Sequence, residues 1–147
     1  IWIWNHIVEE GNAFPQMDCL TETTGEEFFL GQSYTGIAVD VDSGEIAGLY
    51  ILHPNHVGRC GHICNASYAV RWDLRGCQIG EKLVRHCMEQ GKALGYGILQ
   101  FNAVVKSNEA ALHLYQKLGF TRLGVIPRGF LMKDGSFEDI IPHYIAL

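Results

Sequence analysis

AVRWDLRGCQIGEKLVRHCMEQGKALGY, residues 69–96, reads as the end of a strand, a tight glycine-bearing turn and an amphipathic helix. The turn Arg75-Gly76-Cys77-Gln78-Ile79-Gly80 delivers the chain into the helix start. Backbone N–H groups there have no intrahelical partner, and the helix dipole adds positive potential. Such a place suits a pyrophosphate. Gly76 and Gly80 let the backbone approach a ligand without Cβ contact, and Arg75 can add a charge-assisted bond to a phosphate. A plain strand-to-helix turn is the competing reading. Within the helix, Leu83, Cys87, Gly91 and Leu94 recur on one face, with Val84 and Met88 beside them. Glu81, Lys82, Arg85 and Glu89 face outward, and Gly95 ends the pattern.

Upstream, residues 3–10 repeat apolar side chains at helical spacing and stop at Gly11. Asn12 to Thr24 is loop, and a second short helix covers Phe28 to Gly31. Strands are expected at Tyr34–Val41 and Glu45–Leu52 around the turn Asp42-Ser43-Gly44, and at Cys60–Val70. Downstream, Ile98–Val105 is apolar on both faces, as in a central strand. Ser107 or Asn108 caps a helix that ends at Gly119. Phe120–Ile126 and Glu138–Ala146 are two further strands, with Asp134-Gly135 in the connection. Strand–helix–strand units imply crossovers, so the fold class is α/β (α+β mixed): a mixed sheet with helices on both faces.

The 147 residues, 48% of them hydrophobic, fit one domain spanning 1–147 with a sizeable core. A net charge of −5 without a basic patch argues against nucleic acid or anionic membrane as partner. No apolar run approaches the roughly 18 residues of a membrane span. Five cysteines, an odd count without a secretory signal, fit reduced thiols and a cytoplasmic location.

Two segments together resemble a known family. Val70 followed by RWDLRGCQIG resembles the acyl-CoA pyrophosphate loop of the GNAT-type N-acetyltransferase superfamily. Asn108-Glu-Ala-Ala-Leu-His-Leu-Tyr115-Gln-Lys-Leu-Gly119-Phe120 resembles that family's next motif. The likeness covers residues 34–147 and, more loosely, the N-terminal helices. It implies a GNAT-like, mostly antiparallel sheet whose first strand is missing here, as in a chain that begins inside a longer protein. It also implies acetyl-CoA as co-substrate. Cys77, Gln78, Ile79 and Gly80 would bind the diphosphate through backbone amides, with Arg75 and Gly76 beside them. Ala69 and Val70 would pair with the pantetheine arm, Asn108 would bond it, and Tyr115 would protonate the leaving thiolate. Gln78 departs from the family pattern, which usually has glycine there. Leu52–Tyr68 with Gln100-Phe-Asn102 resembles the branch that acetylates L-azetidine-2-carboxylate and related proline analogues. That likeness implies Asn65 and Asn102 at the acceptor's carboxylate. The family's habits add a homodimer.

Acetyl transfer needs a neutral amine, a polarised thioester oxygen and an acid for the leaving thiolate. Candidate bases are His62, His53, Tyr68 or a water relay. Cys60, His62 and Cys64 alternate on one strand face, yet extended residues i to i+4 spread over about 13 Å, too far to share one ion. No metal is expected. Cys77, at a helix N-terminus, makes a thiol acyltransferase imaginable. The partners expected are acetyl-CoA and a small amine or amino acid. The rival readings are acetylation of a protein N-terminus or another metabolite, a non-catalytic acyl-CoA-binding module, and a nucleotide-binding turn.

Overall fold

Strand β3 (Ile63–Val70), which feeds the glycine turn, lies inside the sheet of this computed structural model, which describes residues 1–147. The sheet also holds β1 (Tyr34–Val39), β2 (Ile46–Pro54), β4 (Ile98–Phe101), β5 (Thr121–Arg122) and β8 (His143–Ala146). Its order is β1-β2-β3-β4-β8-β5, with only the β3–β4 pair parallel. β6 (Ile126–Leu131) and β7 (Phe137–Ile140) make a separate hairpin.

Alternation along β2 divides the core between two faces. Tyr50 and Leu52 meet Leu83, Val84 and Cys87 of α3 (Ile79–Ala93) and Tyr115 of α4 (Glu109–Lys117). Leu49 and Ile51 meet Ile3, Trp4, Ile7 and Val8 of α1 (Trp2–Glu10), beside Phe28 and Phe29 of α2 (Glu22–Leu30). Each large side chain buried this way contributes roughly 1.5–3 kcal/mol. Helices on both faces of a mixed, mostly antiparallel sheet are therefore the observed architecture.

Several boundaries differ from the sequence expectation. Residues 58–60 form a 3₁₀ turn, and β3 begins only at Ile63, so Cys60 and His62 precede the strand. Leu94 is half exposed because α3 has ended at Ala93. The strand expected over 120–126 is reduced to Thr121–Arg122, and Ile126–Leu131 turns through Asp134-Gly135 into β7 instead. The strand expected over 138–146 is broken at Ile141-Pro142, where proline supplies no N–H for a ladder.

One difference creates the site. β3 and β4 are paired only at Ile63–Ile98 and Cys64–Leu99, and then diverge. β4 ends at Phe101, well short of Val105, and Val105 leaves the sheet to bridge Ile140 of the hairpin. From Asn65 onward, β3 therefore has one edge without a neighbouring strand.

Candidate active site

The wedge between β3 and β4 holds a cavity of about 440 Å³. Asn65, Tyr68, Gly80, Asn102, Asn108 and Tyr115 all line it, and Ala13, Phe14 and Pro15 of the α1–α2 loop cover it. A second cavity of about 490 Å³ shares Ala13, Tyr68, Asn108 and Ala110 and runs on to Val70, Arg75 and Glu10. Together they form one trough, from the glycine turn to the diverging strands. Phe14 and Pro15 came from a stretch that read only as loop.

The backbone of β3 presents alternate residues to this trough. Arg71 N–H donates to Ala47 C=O at 2.9 Å, and Asn55 N–H donates to Ile63 C=O at 2.8 Å. In the antiparallel β2–β3 register these bonds make the odd-numbered β3 residues the hydrogen-bonded ones. Ala69, opposite Leu49 and fully buried, thus has its peptide groups occupied by β2. The expectation that Ala69 pairs with a ligand is corrected: Tyr68 and Val70 turn their peptide groups to the open edge. Ala66 N–H also faces that way, but Asn65 Oδ1 accepts from it at 2.7 Å.

The turn offers a run of free donors. The first helical bond of α3 runs from Lys82 N–H to Gln78 C=O, at 3.2 Å. Gln78, Ile79, Gly80 and Glu81 keep their N–H groups unpaired at the helix N-terminus, where the dipole is positive. Cys77 does not belong with them, because its N–H turns back to Leu74 C=O at 3.3 Å. Gly76 has φ 84° and Gln78 φ 61°, both left-handed. The conformation explains why glycine suits position 78, since an L side chain there costs about 1–2 kcal/mol. Arg75 is held by Glu10 of α1 through bonds of 2.7 and 2.9 Å.

Asn108 is the N-cap of α4, with Oδ1 accepting from Ala111 N–H at 3.2 Å. The cap uses the oxygen only, and the residue lines both cavities. Tyr115 packs between Phe101, Phe120 and His143, at ring distances of 4.5, 5.3 and 5.7 Å. Burial, with the Cys87 thiol beside it, pushes its phenol well above the usual range. The Tyr115 phenol is therefore protonated at neutral pH. Tyr68 is protonated for the same reason, since burial raises its phenol well above the usual range, which removes it as a base. Burial likewise pushes Cys64 up to about 11 and Cys87 up to about 12, so both stay as thiols. Cys77 is exposed and lines neither cavity.

His62 is also corrected. It lies before β3, at the end where β3 and β4 are joined, with its C=O accepting from Gly97 and Ile98 N–H. The trough begins past that junction, and neither His62 nor His53 lines it.

At the junction stands an amide cluster that the sequence only half revealed. Asn102 Nδ2 donates to Asn55 Oδ1 at 2.6 Å, and Asn55 Nδ2 returns a bond to Asn102 Oδ1 at 3.2 Å. Asn65 Nδ2 donates to Asn55 Oδ1 at 3.4 Å, and Gln100 Nε2 donates to Asn102 Oδ1 at 3.0 Å. Every asparagine oxygen accepts at least one bond, and those of Asn55 and Asn102 accept two. Each asparagine nitrogen carries two hydrogens and uses one. Left over are one N–H on each asparagine, one lone pair of Asn65 Oδ1 and the Gln100 side-chain carbonyl. Pro54-Asn55 marks a turn, and nothing local shows what the Asn55 side chain meets.

A turn of free N–H groups at one end and an amide cluster at the other give the trough two polar ends with room between them, the arrangement a group transferase needs for two substrates. The Acetyltransferase (GNAT) family model matches residues 3–120, and the chain belongs to that family. It is an acetyl-CoA-dependent N-acetyltransferase. N-acetyltransferase aca1 of Schizosaccharomyces pombe is 29% identical over 156 residues, covering 96% of this chain and 74% of its own length. A GCN5-related N-acetyltransferase from Kribbella flavida superposes with a TM-score of 0.88 at 28% identity, over 99% of this chain and 88% of its own. A phosphinothricin acetyltransferase from Sinorhizobium meliloti, solved with AcCoA, gives a TM-score of 0.87 at 20% identity, over 99% and 80% of the two chains.

Proposed function

We propose that the acceptor is a small amine bearing a carboxylate, an amino acid or an analogue of one. The observation that carries this reading is the asparagine cluster at the closed end of the trough, where each of the three asparagines keeps a free N–H. A carboxylate, which has only acceptors, complements those donors. The resemblance of residues 52–68 and 100–102 to the acetyltransferases of L-azetidine-2-carboxylate and related proline analogues supports the same acceptor class.

In this reading the free N–H groups of Gln78 to Glu81 bind the diphosphate of acetyl-CoA. The exposed peptide groups of Tyr68 and Val70 pair with the pantetheine arm, and Asn108 bonds it. Asn65 and Asn102 hold the carboxylate and so aim the neutral amine at the thioester carbon. The C–N bond forms as the C–S bond breaks. Tyr115 gives its proton to the departing sulfur, and the amine's proton leaves to water. The lining of the 440 Å³ cavity between β3 and β4 contains no carboxylate or imidazole, so no protein base is assigned.

The test is thiol release from acetyl-CoA across a panel of amino acids and their primary amides, with Tyr115→Phe alongside. Free amino acids should be turned over and their amides poorly. Tyr115→Phe should lower kcat by about 10²–10⁴ with CoA affinity unchanged. Equal turnover of acids and amides would remove the carboxylate from the reading, and normal turnover by Tyr115→Phe would remove that residue as the acid.

A further inference from the structure

Two strand ends carry the residues assigned to the acceptor, and a third element joins them. Asn65 belongs to β3 and Asn102 follows β4, just where the two strands part. Asn55 follows β2, with its backbone fixed by the bond from its N–H to Ile63 C=O. Its side chain supplies two of the three bonds made by the Asn102 amide and one of the two made by the Asn65 amide. It does not itself line the cavity.

We infer that Asn55 is a positioning residue that sets acceptor specificity, by fixing the direction of the N–H groups that the Asn65 and Asn102 amides leave free. An asparagine side chain has two faces of opposite polarity, and rotating it by half a turn exchanges donor for acceptor. Asn55 Oδ1 takes one N–H from each neighbour, and its Nδ2 occupies Asn102 Oδ1. The second N–H of each lining amide is thereby given a fixed direction. Without Asn55, Asn102 keeps only the bond from Gln100, and Asn65 only the bond from Ala66 N–H. Each amide then stays anchored by its oxygen alone, and its N–H groups no longer hold one direction. An aspartate at 55 still accepts from both neighbours, but sets a second oxygen against Asn102 Oδ1 and repels that amide.

The inference rests on the carboxylate reading of this site, and acceptor pairs separate the two. KM and kcat are measured for one amino acid turned over by the wild type and for its primary amide, with CoA affinity by calorimetry. Asn55→Ala should raise the amino acid's KM about tenfold, with kcat, CoA affinity and the amide's KM within twofold. Asn55→Asp should raise the amino acid's KM further and leave the amide's alone. In an Asn102→Ala background the effect of Asn55→Ala should fall to about threefold or less, because most of it passes through Asn102. Asn55→Ser, a smaller loss, carries the same comparison should the alanine variant melt early. Equal changes for acid and amide, no change for either, or full additivity with Asn102→Ala would each overturn the role given to Asn55. A wild type that turns over no amino acid would instead overturn the underlying reading, and this inference with it.

Discussion

Glu10→Gln should tighten the binding of CoA. In the structure Arg75, the basic side chain at the start of the glycine turn, is clamped by Glu10 through bonds of 2.7 and 2.9 Å. Both residues line the trough. For the guanidinium to meet a phosphate, the clamp must open, so the clamp's own strength is subtracted from the affinity. The side chains are 47% and 26% exposed, which places the pair with solvent-screened bridges of about 0.2–1 kcal/mol. Its loss therefore converts to at most about a fivefold gain, since 1.4 kcal/mol is tenfold. Glutamine also removes a negative charge that faces the incoming phosphates, an effect screened over about 8 Å at physiological ionic strength. The expected result is CoA bound two- to fivefold tighter by calorimetry at low salt, with the gain shrinking as salt is added. Pantetheine, which carries no phosphate, should bind as before. The packing of α1 against the turn survives, because His6 stacks on Trp72 at 3.9 Å and Trp2 meets the same ring at 4.4 Å. Unchanged or weaker CoA binding, or an equal shift for pantetheine, would refute the reasoning.

Three further outcomes follow from the same structure. Gly36→Ala would drive a methyl into the ring of the fully buried Tyr50 and should destabilise by about 1–3 kcal/mol, seen as a lower urea midpoint at constant slope. Gln78→Gly should raise stability by up to about 1 kcal/mol, because φ 61° suits glycine, with CoA affinity retained through the same N–H; a lowered Tm would contradict the strain assigned there. The pH profile of kcat/KM should rise tenfold per unit and level off at the acceptor amine's own pKa, moving with the acceptor. Because burial raises the Tyr115 phenol, its active, protonated form persists above its ordinary pKa of about 10, so no falling limb should appear below that pH. A break near 6–7 shared by all acceptors would reveal a protein base.

Local signals carried far in this chain. The helical repeat of Leu83, Cys87 and Gly91 and the capping residue Asn108 report interactions within one or two turns, and α3 and α4 stand where those residues put them. The donor turn before α3 was legible for the same reason, since helix ends leave N–H groups free whatever surrounds them. Hydrogen-bond direction was not. Ala69 and Val70 look alike in sequence, and only the register of β3 on β2 shows that the first is consumed and the second free. Cys77 was lost to a turn bond that composition cannot display.

The amino-acid order alone determined α1, α3 and α4, the donor turn before α3 and the tyrosine two turns into α4, because periodicity, capping and dipole act between near neighbours along the chain; α2 was placed only at its end, since it begins at Glu22. The tertiary structure decided where β3 parts from β4, and which amides meet there. Asn55 reaches Asn65 across 10 residues and Asn102 across 47, and contacts over such separations depend on how the strands are laid side by side.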